Sequence, residues 1–122
     1  VGWNIAEKIR NCGNMKKMIY NKAIRDKIPE IIKESGNFCN VKTLSDEEFL
    51  AELEKKLFEE VKEYQNDKNP KELSDILEVV YRIAQLNGVS KEELEKIRVK
   101  KVEERGSFEK NLFLIDTGKV IE

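Results

Sequence analysis

The stretch from Ser45 to Gly88 constrains the fold more than any other part of the chain. Ser45-Asp-Glu-Glu48 has the form of a capping box, Ser at the N-cap and Glu three positions on. From there Leu50, Leu53, Leu57, Val61 and Tyr64 recur every three or four residues, a single apolar stripe along one helix. The pattern breaks at Asn66-Asp-Lys-Asn-Pro70 and resumes at once, with Asn69-Pro70-Lys-Glu72 as a second helix start. Leu73, Ile76, Leu77, Val79, Val80, Ile83, Ala84 and Leu86 then cover about half the circumference at ~100° per residue. This predicts the most buried helix of the chain, ending at Asn87-Gly88. Two long amphipathic helices joined by so short a break are expected to fold back antiparallel.

The flanks add shorter elements. Ser90-Lys-Glu-Glu93 is another capping box, opening a helix that stops at Arg105-Gly106. Pro29 suits the first turn of a short helix through Glu34, with Ser35-Gly36 as its stop. Phe38 to Leu44 reads as extended. Leu112 to Ile115, Asp-Thr-Gly118-Lys and Val120-Ile121 read as strand, turn and strand, with the piece before Ser45 as the pairing candidate. Residues 1–19 are weakly patterned, although Trp3, Ile5 and Ile9 could dock as a short helix. Met15 and Met18 precede the first orderly segment, so residues 1–17 are expected to be an N-terminal extension and 18–122 the domain. The fold class expected is mainly α, an antiparallel helical bundle with a minor β element near the termini.

Composition excludes several functions. The 24 acidic and 23 basic residues nearly cancel, which argues against nucleic acid as a partner. No run approaches the roughly 18 apolar residues of a membrane helix, and no secretory apolar segment opens the chain. Cys12 and Cys39 offer neither metal-ligand spacing nor a disulfide framework, so a reduced, cytoplasmic setting is expected. Histidine is absent, which removes His-based triads, His general bases and most zinc sites.

Carboxylates are what remain. Glu60/Glu63 and Glu72/Asp75 are i,i+3 pairs on the two long helices, and residues three apart are neighbours on a helix surface. On the first helix Glu60 lies about 60° from the middle of the stripe, Glu63 about 120° and Glu59 about 160°. Glu60 therefore borders the core, Glu63 flanks it and Glu59 faces water. On the second helix Glu72 falls within the apolar arc, Asp75 at its edge, and Glu78 points away. A carboxylate in such an arc must be neutralised, paired or metal-bound. Each residue alone has a plainer explanation: Glu-rich helices are solvated, Glu72 fits a capping box, and Asp75 could pair with Arg82 or a lysine. Four converging carboxylates without His or Cys suit Mg²⁺, with Mn²⁺ as the other candidate.

Glu59-Glu60-x-x-Glu63 followed by Glu72-x-x-Asp75 resembles the signature of the all-α nucleoside triphosphate pyrophosphohydrolases, a group that includes MazG-like proteins, phosphoribosyl-ATP pyrophosphohydrolase and the dimeric dUTPases. Tyr20 to Ile32, Leu73 to Val80 and Lys100 to Phe108 are similar to segments of the MazG-like, phosphoribosyl-ATP pyrophosphohydrolase-like subgroup. The likeness spans about residues 18–115, with a short loop between the pairs and Ser74 where the family often has Ala or Gly. It implies a Mg²⁺-dependent cleavage of the α–β phosphoanhydride of a nucleotide to a monophosphate and pyrophosphate. Glu60, Glu63, Glu72 and Asp75 would hold the metal, with Glu63 as the base that activates water. Phosphoryl chemistry also needs cations against the phosphates. Arg25, Lys27, Lys101 and Arg105 are the candidates, while Lys22 and Lys100 read as solvated partners of nearby glutamates. The resemblance further implies a homodimer or higher homo-oligomer. The competing reading is a non-catalytic helical oligomerisation or protein-interaction module.

Overall fold

A computed structural model describes residues 9–12 and 15–121, with side-chain environments from Lys17 onward. It is mainly helical. Strands β1 (Ile9–Cys12) and β2 (Met15–Met18) pair antiparallel, Ile9 opposite Met18 and Cys12 opposite Met15. Four helices follow: α1 (Ile28–Glu34), α2 (Asp46–Asp67), α3 (Pro70–Leu86) and α4 (Lys91–Arg105).

Local chemistry explains the helix ends. Ser45 caps α2 by accepting from the Glu48 amide, and the Glu48 carboxylate accepts from the Ser45 amide in return. Ser90 and Glu93 repeat the arrangement at α4. Asn69 caps α3 through the Lys71 amide, and Pro70 takes the first turn, where no amide proton is needed. The α2–α3 connection turns on Lys68, whose φ of 55° lies in the left-handed region. At the end of α3, Gly88 (φ 82°) allows a Schellman closure: the Val89 amide donates to Ala84 O at 2.9 Å and the Gly88 amide to Gln85 O at 3.0 Å.

The α2–α3 hairpin is the body of the molecule. Leu53 from α2 and Val79 from α3 are buried against Ala23, and Phe49, Leu57, Ile83 and Leu86 pack around them. Ala23 belongs to the irregular segment 19–27, so this segment is pinned across one side of the hairpin and carries Lys22, Arg25 and Lys27 with it. Helix α4 packs on α3 near their junction, where the Lys91 ammonium sits 4.6 Å from the Tyr81 ring centroid. Among the described residues no helix is long and apolar enough to cross a membrane.

Four expectations need correction or relocation. Residues 111–121 contain no strand, and Phe38 to Leu44 has none either; the minor β element is the β1–β2 pair near the other terminus. A β-rich pattern forms a strand only by pairing with another segment, and among the described residues none pairs with either stretch. Helix α3 is not buried all round its apolar arc, because Leu73 and Leu77 are exposed while Val79 is covered. Ile9 lies in a strand rather than a docked helix. Trp3 and Ile5 fall outside the described residues.

Candidate metal centre

Glu60 and Glu72 are the two buried charged residues described, 1% and 4% exposed. Their burial follows from the wheel. Glu60 is two turns beyond Leu53 on the same face of α2, and Glu72 is two turns before Val79 on the same face of α3. The hairpin that brings Leu53 to Val79 therefore brings the two carboxylates together, and Asp75, one turn after Glu72, joins them. Carboxylate oxygens of Glu60, Glu72 and Asp75 all lie within 4.8 Å of one another. A second trio, Glu63, Asp67 and Glu72, meets the same condition on the loop side, with Glu72 common to both.

Glu60 is the most telling of these side chains. Its Oε1 has the Lys56 ammonium at 3.4 Å, and its Oε2 is buried with no hydrogen-bond partner. Burial raises its carboxyl above the ordinary range, Lys56 opposes the shift, and the nearby Asp75 and Glu72 add to it. A buried oxygen left without a donor costs about 1–3 kcal/mol or more when charged. An oxygen-seeking cation would remove that cost, and the all-carboxylate donor set matches such an ion. These acidic groups could thus hold a metal ion.

The cations are arranged differently from the expectation. Arg25 Nη2 donates to Asp75 Oδ1 at 2.6 Å, so this guanidinium is tied to the carboxylate cluster. Asp75 does not pair with Arg82, which instead donates to Gln85 Oε1. Lys22 pairs with Glu59 at 2.8 Å, as the plainer reading had it, but in a half-buried contact, so Glu59 is not simply solvated. Lys27 lines the same open cleft as Arg25, Lys56, Glu60 and Asp75, a space of about 740 Å³. Lys101 and Arg105 are exposed on α4 and do not line this cleft. Sequence reasoning overlooked Lys56, although its spacing was a signal: it precedes Glu60 by one turn, on the face that carries Leu53 and Glu60.

A protein of Mycolicibacterium smegmatis, described as uncharacterized, is 52% identical over 40 residues, which is 33% of this chain. The match spans 41% of that relative's length. No family model and no solved structure matches the chain.

Proposed function

We propose that the chain is a Mg²⁺-dependent nucleotide pyrophosphohydrolase, cleaving the α–β phosphoanhydride to a nucleoside monophosphate and pyrophosphate. The observation that carries this reading is the Glu60 carboxylate, fully buried, one oxygen without a donor, and grouped with Glu72 and Asp75. Mg²⁺ supplies charge neutralisation to the phosphates and a fixed template for them. Glu60, Glu72 and Asp75 would hold it. Glu63, half-buried one turn beyond Glu60, is the base that takes the proton from the attacking water. Arg25 and Lys27 line the cleft beside the carboxylates, where their charge would meet the polyphosphate as it enters. The reading gives Lys101 and Arg105 no role in this cleft.

The test is pyrophosphate release from a panel of nucleotides with Mg²⁺. Glu60→Ala and Asp75→Ala are expected to abolish release while far-UV circular dichroism is retained. No pyrophosphate from any nucleotide, with the protein folded and Mg²⁺ present, would favour the non-catalytic interaction module instead. The exposed apolar side chains of α2 and α3 are the observation that keeps that second reading in play.

A further inference from the structure

The cleft beside the carboxylates continues along the hairpin for nearly three more turns of α3. Asp75, Glu78, Arg82 and Gln85 fall within about 80° of one another around that helix, and all four line the cleft. Glu78, which the wheel turned away from the core, is exposed yet borders this space. At the helical rise, Glu78 lies about 4.5 Å, Arg82 about 10 Å and Gln85 about 15 Å beyond Asp75. The other wall comes from α2. Leu53 packs with Val79 and Glu60 is grouped with Glu72, so the antiparallel register sets Phe49 level with Ile83, between Arg82 and Gln85. The space of about 740 Å³ therefore has carboxylates at one end and an aromatic ring with two polar side chains at the other. Its size is that of a small-molecule pocket, and its length is that of a nucleotide laid out from phosphate to base.

The polar pair at the far end selects among bases. Arg82 Nη1 donates to Gln85 Oε1 at 2.6 Å. A guanidinium carries only donors, so the amide oxygen must be the atom that faces it, and this fixes the orientation of the Gln85 amide. With that oxygen engaged, the pair is left rich in donors: the Gln85 Nε2 hydrogens and the other N–H groups of Arg82. Neighbouring donors match neighbouring acceptors. A 6-oxopurine supplies them as O6 beside N7, whereas adenine sets an amino donor beside N7, cytosine offers an amino donor, and thymine a single carbonyl beside a methyl group. The Phe49 ring gives a face on which a base can stack. Glu78, between the two ends, is an acceptor at the level where sugar hydroxyls would pass.

We infer that the far end of the cleft is a base subsite for 6-oxopurine nucleotides, guanine or hypoxanthine, stacked on Phe49 and read at O6 and N7 by Arg82 and Gln85. The inference rests on the nucleotide reading of the cleft and narrows it to a substrate class. Arg82 and Gln85 are specificity-determining residues here, remote from the reacting phosphate.

Calorimetric binding of GMP, IMP and AMP to the full chain with Mg²⁺ tests the subsite without turnover. GMP and IMP are expected to bind within about three-fold of each other, because the 2-amino group lies off the edge being read. Each should bind about ten-fold or more tighter than AMP. Gln85→Glu removes the amide donors and sets a carboxylate against Arg82, so the GMP-to-AMP preference should fall to within about three-fold. A merely structural role for Gln85 would instead lower the urea midpoint and weaken GMP and AMP equally. Phe49→Leu keeps an apolar side chain in the core and should weaken all three ligands about five-fold or more while preserving their order. Equal affinities for GMP and AMP, no binding of any of the three, a preference that survives Gln85→Glu, or unchanged binding by Phe49→Leu would each overturn the proposal. Gln85 is exposed, so its variant keeps the test decisive if Phe49→Leu fails to fold. A GMP preference without pyrophosphate release from GTP would leave the subsite standing and sink the hydrolase reading. Release at equal kcat/KM from GTP and ATP would sink the subsite alone.

Discussion

Arg25 Nη2 lies 2.6 Å from Asp75 Oδ1, a contact between residues fifty apart in sequence. It fastens segment 19–27 to α3 at the edge of the carboxylate group, and it gives Asp75 a cationic partner. The guanidinium is about half exposed, so the pair's share of stability is screened to below about 1 kcal/mol. Its greater consequence is for substrate. On the proposed hydrolase reading, a cation held by Asp75 would free Arg25, which lines the cleft, to meet a substrate phosphate. Arg25→Gln is therefore expected to leave the denaturation midpoint nearly unchanged and to raise KM for nucleotide about ten-fold or more. An unchanged KM would remove Arg25 from substrate binding and leave it as a tether.

The core makes a sharper stability prediction. Leu53 is buried against Ala23 and Val79, and the fully covered apolar residues described number only these three. With so little redundancy, Leu53→Ala is expected to destabilise by about 2–4 kcal/mol, through lost burial and the cavity left behind. Urea denaturation followed by circular dichroism measures this directly. A loss under about 1 kcal/mol would mean that the packing described around Leu53 is not the packing that holds the hairpin together.

The turn between α2 and α3 carries strain that can be relieved. Lys68 holds φ at 55°, a conformation that costs a residue with a Cβ about 1 kcal/mol and costs glycine little. Lys68→Gly is expected to be neutral or stabilising by up to about 1 kcal/mol, offset in part by glycine's freedom in the unfolded chain. Lys68→Val, β-branched in the same position, is expected to lower stability by more than about 1 kcal/mol. Equal midpoints for the two variants would show that the turn does not need the left-handed backbone. The Lys68 ammonium also lies 5.5 Å from the Tyr64 ring centroid, so Lys68→Ala serves as the control for that lost contact.

The hairpin could be read from sequence because its signals are local. Capping boxes at Ser45 and Ser90 act over three residues, and the placement of Glu60 and Glu72 near the core follows from helix geometry alone. What could not be read depends on which surfaces meet. The Arg25–Asp75 pair arises only once segment 19–27 lies across the hairpin, and nothing near either residue announces it. The apolar arc of α3 was visible, but a helical wheel shows where apolar groups point and not whether this chain supplies their cover. The 112–121 pattern differs for the same reason: an apolar run with β-branched residues describes a side chain's preference, while a strand exists only by hydrogen bonding to another.

Glu60 couples proton binding to the fold and, in the proposed site, would couple the metal to both. Burial raises its carboxyl above the ordinary range, so the folded chain keeps this proton to higher pH than the unfolded chain does. Its contribution to stability is then present below the ordinary carboxylate range and is lost as pH rises through the raised folded value. Glu60→Gln keeps a neutral group of the same shape, still able to accept from Lys56, and escapes that loss. In chelator, the variant and parent are expected to be similarly stable near about pH 4, with the variant the more stable near pH 8. Excess Mg²⁺ should reverse the order at the higher pH. An ion at a hundred times its dissociation constant stabilises the folded parent by about 2.7 kcal/mol and does little for a variant lacking the buried anion. Urea midpoints for both proteins, with and without Mg²⁺ at the two pH values, supply the full comparison. Parallel pH profiles in chelator would show that the Glu60 carboxyl is not perturbed, and equal Mg²⁺ stabilisation of the two proteins would show that Glu60 does not hold the ion.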